Sequence, residues 1–137
     1  MAKDKYHDAV RNALVKDGWT ITHDPYRISV GTERVYVDLG AERLLAAERG
    51  TEKIAVEVKT FSSPSDIYDL ERALGQYILY RILMKERDPE RQVVLAVPID
   101  TLKTSFRKRI FEIAVDQVQI SMIGYDPDAE EILEWAM

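Results

Sequence analysis

Cysteine is absent from this chain of 137 residues, which excludes a disulfide framework and a thiolate metal site. Long hydrophobic runs are lacking too, since no apolar stretch approaches the length of a membrane span. The first ten residues, MAKDKYHDAV, contain no apolar signal region. These absences predict a cytoplasmic protein with no membrane partner. The composition, 46% hydrophobic and 31% charged, is that of a folded chain.

Net positive charge is also lacking. The formal charge of −5 argues against a protein that binds DNA through bulk electrostatics alone. The acids are unevenly distributed, because the last twelve residues hold five of the 24 acids and no base, and the remaining 19 acids match the 19 lysines and arginines. A local basic surface is therefore compatible with the sequence, although a solvated helix face is the alternative. The run KTSFRKRI would supply the four bases of this surface, Lys103, Arg107, Lys108 and Arg109.

Hydrophobic periodicity predicts the secondary structure. Apolar residues three and four positions apart indicate helices over about 3–17 and 66–87, with Ser65 as a suitable N-cap for the second. Further helical turns are expected over about 99–116. Strands are predicted at WTIT, RVYVDLG, IAVEVKTF, VVLAVP and VQISMIGYD, while AEEILEWAM is a strand or a short helix. The inner side of the long helix is predicted to carry Ile67, Leu70, Leu74, Tyr77, Ile78, Arg81 and Ile82.

One segment, AERLLAAERG, allows two interpretations. Its composition favours a helix, but ERGTEK also suits the tip of a hairpin that leads into IAVEVKTF, because GT is a usable turn. We expect the hairpin. The element order then predicts a single domain over residues 1–137, an α/β sandwich whose mixed central sheet is flanked by helices.

The strand IAVEVKTF carries an acid and a base on one face. Alternation places Glu57 and Lys59 on the same side, while Val58 points into the core. A carboxylate is a hard oxygen ligand suited to Mg²⁺, and the Val58 carbonyl is a further oxygen near the same edge. Lysine at this place can orient a water or neutralise a phosphate. An isolated Glu-x-Lys is usually a cross-strand salt bridge on a wet face, which is the alternative.

Asp38 is the candidate for a second carboxylate. It ends the apolar strand VYVDLG, where aspartate is disfavoured by propensity, and Gly40 follows. Because neighbouring strands lie about 5 Å apart, Asp38 could stand beside Glu57 and complete a pair for Mg²⁺ or Mn²⁺. Hydrolysis of a phosphodiester needs such a pair together with the lysine.

Two helices carry further candidate polar side chains. Gln76 and Tyr80 are four residues apart, so they stack on one helix face from which both could reach a phosphate or a base. The alternative places Tyr80 in the core and Gln76 on the surface. His7 lies between two aspartates on the first helix and could ligate a metal or relay a proton. A solvated histidine is the alternative there.

This set of residues resembles the signature of the PD-(D/E)XK nuclease superfamily. The Gln-x-x-x-Tyr spacing and the first-helix histidine are similar to its RecB-type branch. The resemblance implies a restriction-endonuclease-like fold in which Asp38, Glu57 and Lys59 are catalytic and His7, Gln76 and Tyr80 form a second shell or contact DNA. It also implies a metal held by Asp38, Glu57 and Val58.

The sequence departs from that signature in two respects. Val37 precedes Asp38 where many members have proline. The interval from Asp38 to Glu57 is also long for a simple hairpin, so a bulge or a small helix is expected between them. Glu42 is therefore the alternative acid.

A second resemblance covers nearly the whole chain. The stretches KDGWTITHDPY, VYVDLGAERLLAAERGTEKIAVEVKTF and GYDPDAEEILEW are similar to the XisH family, the cyanobacterial fdxN element excision controlling factors. This resemblance implies an accessory role in programmed excision of a DNA element. The implied partners are DNA, a site-specific recombinase and the companion protein XisI, and a homodimer is compatible with the sequence.

Three functions follow from these patterns. The first is a DNA-acting accessory factor with a nuclease-like fold that controls excision. The second is an active Mg²⁺-dependent endonuclease, in which Lys59 positions the attacking water. The third is a non-catalytic subunit that uses the same face to bind other proteins. We prefer the first, since it is compatible with either state of the site.

Overall fold

A computed structural model of the chain describes residues 5–30, 35–37 and 44–136. The first half contains helix α1, His7–Lys16, and five strands: β1, Thr20–His23; β2, Ile28–Val30; β3, Val35–Val37; β4, Leu44–Arg49; and β5, Glu52–Val58. The second half contains α2, Asp66–Arg87; β6, Arg91–Pro98; α3, Ile99–Lys103; a 3₁₀ turn, Ser105–Arg107; α4, Arg109–Val118; β7, Met122–Asp126; and β8, Glu131–Ala136.

Six of the strands form one mixed sheet in the order β1-β4-β5-β6-β7-β8. The central pairs β5–β6 and β6–β7 are parallel, and the outer pairs are antiparallel. Strands β2 and β3 form a separate antiparallel pair. Helices lie on both faces of the sheet, so the predicted α/β sandwich is confirmed. No helix in the described ranges is both long enough and apolar enough to cross a membrane.

Strand β5 separates two hydrophobic clusters through its alternation. Val56 and Val58 pack with Val10 and Leu14 of α1 on one face of the sheet. Ala55, which precedes Val56, belongs to the other cluster. Helix α2 covers that cluster. Because successive side chains point to opposite faces, the residues that follow Ala55 at two-residue steps lie beneath α2.

The hairpin prediction for AERLLAAERG is confirmed. Residues of β4 pair with β5 from Leu44 opposite Glu57 to Arg49 opposite Glu52, around a turn that contains Gly50 with a φ of +61°. Glycine adopts this left-handed conformation without steric cost. The composition of this segment favours a helix, but it forms a strand because Ala46 and Ala47 are fully buried within the sheet.

The long helix begins and ends where the sequence predicted. The Ser65 hydroxyl accepts a hydrogen bond at 3.1 Å from the backbone N–H of Tyr68, which satisfies one of the free donors of the first turn. The predicted inner face was wrong in one respect, since Ile82 is 56% exposed. The buried positions of the helix are Leu70, Ala73, Gln76, Tyr77, Tyr80 and Met84. The buried stripe is therefore narrower than predicted and includes polar groups.

Candidate active site

Glu57 and Lys59 lie at the carboxyl end of β5, on the face that α2 covers. Their residues are only 1% and 8% exposed, respectively. Lys59 follows the last residue of β5, and its backbone N–H donates to the Ala96 carbonyl at 2.9 Å, so strand pairing extends to this position. The Lys59 Nζ lies 3.9 Å from Oε2 of Glu57. The acid and the base are thus buried together and do not lie on a solvent-exposed face of the sheet.

Val58 lies between these two residues and points the other way. Its side chain is 2% exposed and packs in the cluster beneath α1. This orientation follows from strand alternation and leaves only backbone atoms of Val58 near the acid and the base.

The second acid, Asp38, lies outside the described residues, as does its alternative Glu42. Leu44, the first residue of β4, pairs in register with Glu57. Asp38 and Glu42 both precede Leu44 in the sequence, and the chain enters the sheet at Leu44, directly opposite Glu57. The catalytic and metal-binding roles of Asp38, Glu57, Val58 and Lys59 stay predictions.

Gln76 and Tyr80 both face inward from α2. Tyr80 is 2% exposed and lies in the core, as the alternative predicted, whereas Gln76 is 7% exposed, so its predicted place on the surface was wrong. The helix runs antiparallel to β5, because Asp88 at its end lies 3.9 Å from Lys53 at the start of that strand. Tyr80 is therefore one helical turn, about 6 Å, further than Gln76 from the end of the sheet that carries Glu57.

His7 is buried at the start of α1, with 1% of its surface exposed, so the solvated alternative was wrong. Its Nε2 lies 2.7 Å from Oδ1 of Asp24. Arg11 donates to the other oxygen, Oδ2 of Asp24, at 2.6 Å. The remaining ring nitrogen, Nδ1 of His7, is buried and has no hydrogen-bond partner among the described residues.

Sequence reasoning missed Asp24 and Arg11. Arg11 lies four residues after His7 and therefore on the same helix face, a spacing that could have pointed to it. The segment HDPY was interpreted only as a turn, and no local signal indicates that its aspartate meets α1.

Strand register places the His7 group at the same end of the sheet as Glu57. His23, the last residue of β1, pairs with Ala46 of β4, and β4 in turn begins opposite Glu57. Asp24 follows His23 directly. His7 and Asp24 approach this end from the α1 side, whereas Glu57 and Lys59 approach it from the α2 side.

The described residues supply only part of a metal site. Within residues 5–30, 35–37 and 44–136, no three histidine, aspartate or glutamate side chains are grouped closely enough to hold a metal ion. The Glu57 carboxylate and the Val58 carbonyl are oxygen donors of the type that Mg²⁺ prefers. These two donors suit the ion in type, and a divalent cation beside Glu57 would also need a second carboxylate, the role predicted for Asp38.

The basic run borders the same end of the sheet. Lys103, Arg107, Lys108 and Arg109 follow β6 at its carboxyl end, and all four are exposed. Phe106, within this run, packs edge-on against Phe61, just beyond Lys59, with ring centroids 5.5 Å apart.

Two of these bases have acidic neighbours. Lys108 donates to Asp66 at 2.7 Å, and Arg109 lies 4.0 Å from Glu112. The Lys108 hydrogen bond holds the pKa of Asp66 below its usual value of 3.8, with a smaller contribution from Ser105 in the same direction. Lys103 and Arg107 are in no ion pair within the part of the chain that the structure describes.

Comparison with known proteins identifies the family. The XisH protein family matches residues 1–133. The chain is similar to the solved structure of an XisH family protein from Nostoc punctiforme PCC 73102, with 44% identity over 98% of this chain and 100% of that one, and a TM-score of 0.89. It is also similar to an fdxN element excision controlling factor protein from Anabaena variabilis, with 43% identity over 95% and 96% of the two chains and a TM-score of 0.86.

No curated protein matches the chain significantly. The family match and the two solved structures agree with each other over almost the full sequence. The chain belongs to the XisH family.

Proposed function

We propose that this protein is an accessory factor that acts on DNA and controls the site-specific excision of a genomic element. The observation that carries the proposal is the buried Glu57–Lys59 pair, 3.9 Å apart at the end of a sheet strand. A family relative described as an fdxN element excision controlling factor supports the biological setting.

The proposed chemistry is that of a nuclease-like site of the PD-(D/E)XK superfamily. Asp38, Glu57 and the Val58 carbonyl would hold Mg²⁺ or Mn²⁺. When bound, the ion supplies a Lewis acid for phosphodiester hydrolysis. Burial of Glu57 beside Lys59 supports this assignment, because it holds an acid and a base together at one end of the sheet.

The residues of this chain have distinct tasks in the proposal. Lys59 orients the attacking water and offsets the negative charge that develops on the phosphate. The Gln76 amide lies nearer to this end of the sheet and orients the groups around Glu57, while Tyr80 packs one turn behind it. The exposed Lys103 and Arg107 contact the DNA backbone.

The proposed partners are DNA, a site-specific recombinase and the companion protein XisI, all in the cytoplasm. The net charge of −5 supports dependence on a partner for DNA affinity. The same charge favours a second candidate function, a non-catalytic subunit that binds the other excision proteins through the Glu57 face. A homodimer is compatible with either function.

Two samples test the proposal: the purified protein alone, and the complex recovered from its native host. Each is incubated with DNA and Mg²⁺. We expect nicking that chelation abolishes and that Lys59→Ala lowers by at least about 100-fold. Lys85→Ala is the matched control, because this lysine is exposed on the last turns of α2 at the opposite end of the sheet.

Metal binding is measured separately, by Mn²⁺ titration of the wild type and of Asp38→Ala. We expect the aspartate variant to lose the ion. Nicking that persists in Lys59→Ala would assign the activity to another site. No bound ion at millimolar metal, together with no action on DNA by the host complex, would favour the non-catalytic subunit.

A further inference from the structure

The strongest unassigned arrangement is the line of three polar groups formed by Arg11, Asp24 and His7. Arg11 is 40% exposed, Asp24 is 15% exposed and His7 is 1% exposed, so the line runs from solvent to the interior. Both carboxylate oxygens of Asp24 are engaged in it, one by each neighbour.

The hydrogen bonds define the protonation of the His7 ring. A carboxylate can only accept hydrogen bonds. Nε2 of His7 therefore carries a proton and donates a hydrogen bond of 2.7 Å to Oδ1 of Asp24. In the neutral ring the other nitrogen, Nδ1, then has a lone pair and no proton. This atom is buried and has no partner in the described ranges of the chain.

A buried acceptor without a partner lowers the stability of a fold. Proteins seldom retain such a group in the interior without a function for it. If His7 were needed only for packing, an apolar residue could replace it. If it were needed only for the hydrogen bond to Asp24, nothing would determine which group Nδ1 contacts. The unused atom therefore requires a separate explanation.

We propose that Asp24, held in place by Arg11, is a positioning residue that fixes His7 with its proton on Nε2 and directs the Nδ1 lone pair to an O–H donor, a bound water, at the end of the sheet that carries Glu57. A buried aspartate that orients a histidine ring in this way also stabilises the ring when it takes up charge. The location at the reacting end rests on the proposed function, whereas the hydrogen-bond arrangement does not.

Nitrogen NMR tests the arrangement directly. The chain has only two histidines, and the exposed His23 serves as an internal reference. In the neutral ring of His7 we expect an unprotonated Nδ1 and a slowly exchanging Nε2–H. Asp24→Ala should remove the slow exchange of the Nε2–H, and Arg11→Ala should shorten the lifetime of that proton.

Two amide substitutions separate positioning from a structural role. His7→Gln places an amide donor near the position of Nε2 and lacks the Nδ1 acceptor, whereas His7→Asn places an amide oxygen near Nδ1 and loses contact with Asp24. We expect His7→Gln to fold with a melting temperature close to the wild type but to lose at least about tenfold in DNA processing. His7→Asn should retain more activity than His7→Gln, despite a lower melting temperature.

The outcomes are distinguishable. A proton on Nδ1, in the neutral ring or in an imidazolium, overturns the inference whatever the protein does to DNA. Full activity of His7→Gln also overturns it, because the Asp24 contact alone would then suffice. The predicted NMR signature in a wild type that never processes DNA would overturn the proposed function and leave the positioning of His7 by Asp24 standing.

Discussion

Lys59 Nζ and Glu57 Oε2 lie 3.9 Å apart beneath α2, in a part of the protein from which solvent is almost excluded. Two opposite charges in such surroundings have lost most of their hydration, and their attraction offsets only part of that cost. Lys53 and Asp88 lie at the same distance, 3.9 Å, at the other end of β5, but these side chains are 35% and 21% exposed. The protein thus contains two ion pairs of equal separation at opposite ends of β5, one buried and one more exposed.

The buried pair should be energetically coupled. Glu57→Gln and Lys59→Met should each lower the free energy of unfolding by about 3 kcal/mol, because each leaves a charge buried without its neighbour. The double variant should lose less than the sum, with a coupling of about 1–3 kcal/mol in urea unfolding. The same cycle on Lys53 and Asp88 should give less than about 1 kcal/mol. Equal coupling in the two cycles would contradict the distinction between them.

The basic run should determine the salt dependence of DNA binding. Lys103→Ala combined with Arg107→Ala removes two proposed phosphate contacts, so the slope of log K against log salt concentration should fall by about 2. Lys85→Ala combined with Arg87→Ala removes the same charge from the end of α2, at the other end of the sheet. That control should leave the slope near the wild-type value. A similar loss in both variants would indicate only a net-charge effect.

The Asp66–Lys108 contact should make a pH-dependent contribution to stability. The lowered pKa of Asp66 in the folded protein means that its contribution is present above the usual value of 3.8 and is lost as pH falls through the lowered pKa. Lys108→Ala should move the Asp66 pKa upward toward the usual value, measured by NMR titration of the carboxyl. The melting temperatures of the two proteins should differ at about pH 6 and converge near about pH 2. A difference that persists in acid would assign the effect to packing.

Local patterns were enough to predict much of this fold. Ser65 and the apolar spacing after it defined α2 from end to end, and alternation in β5 assigned Val58 to one face and Glu57 to the other. These predictions succeeded because capping and side-chain alternation depend on neighbours in sequence. The turn residues GT likewise favoured the hairpin over a helix for AERLLAAERG, although composition favoured the helix.

The parts that failed depend on contacts between distant segments. The burial of Gln76 reflects how α2 rotates against the sheet, and a helical periodicity with Ile82 on its inner side fitted the sequence equally well. The partnership of His7 with Asp24 joins residues from α1 and from the turn after β1, and no spacing encodes it. Whether Asp38 completes the site depends on a segment outside the described residues.

Strand β8 ends the sheet on one side, and no strand lies beyond it in the residues that the structure describes. Glu131 and Glu134 are both exposed along it. Two copies joined through this strand would bring their carboxylates close together, and repulsion between like charges opposes that alignment. The exposed carboxylates on this edge strand therefore disfavour pairing of two copies through β8.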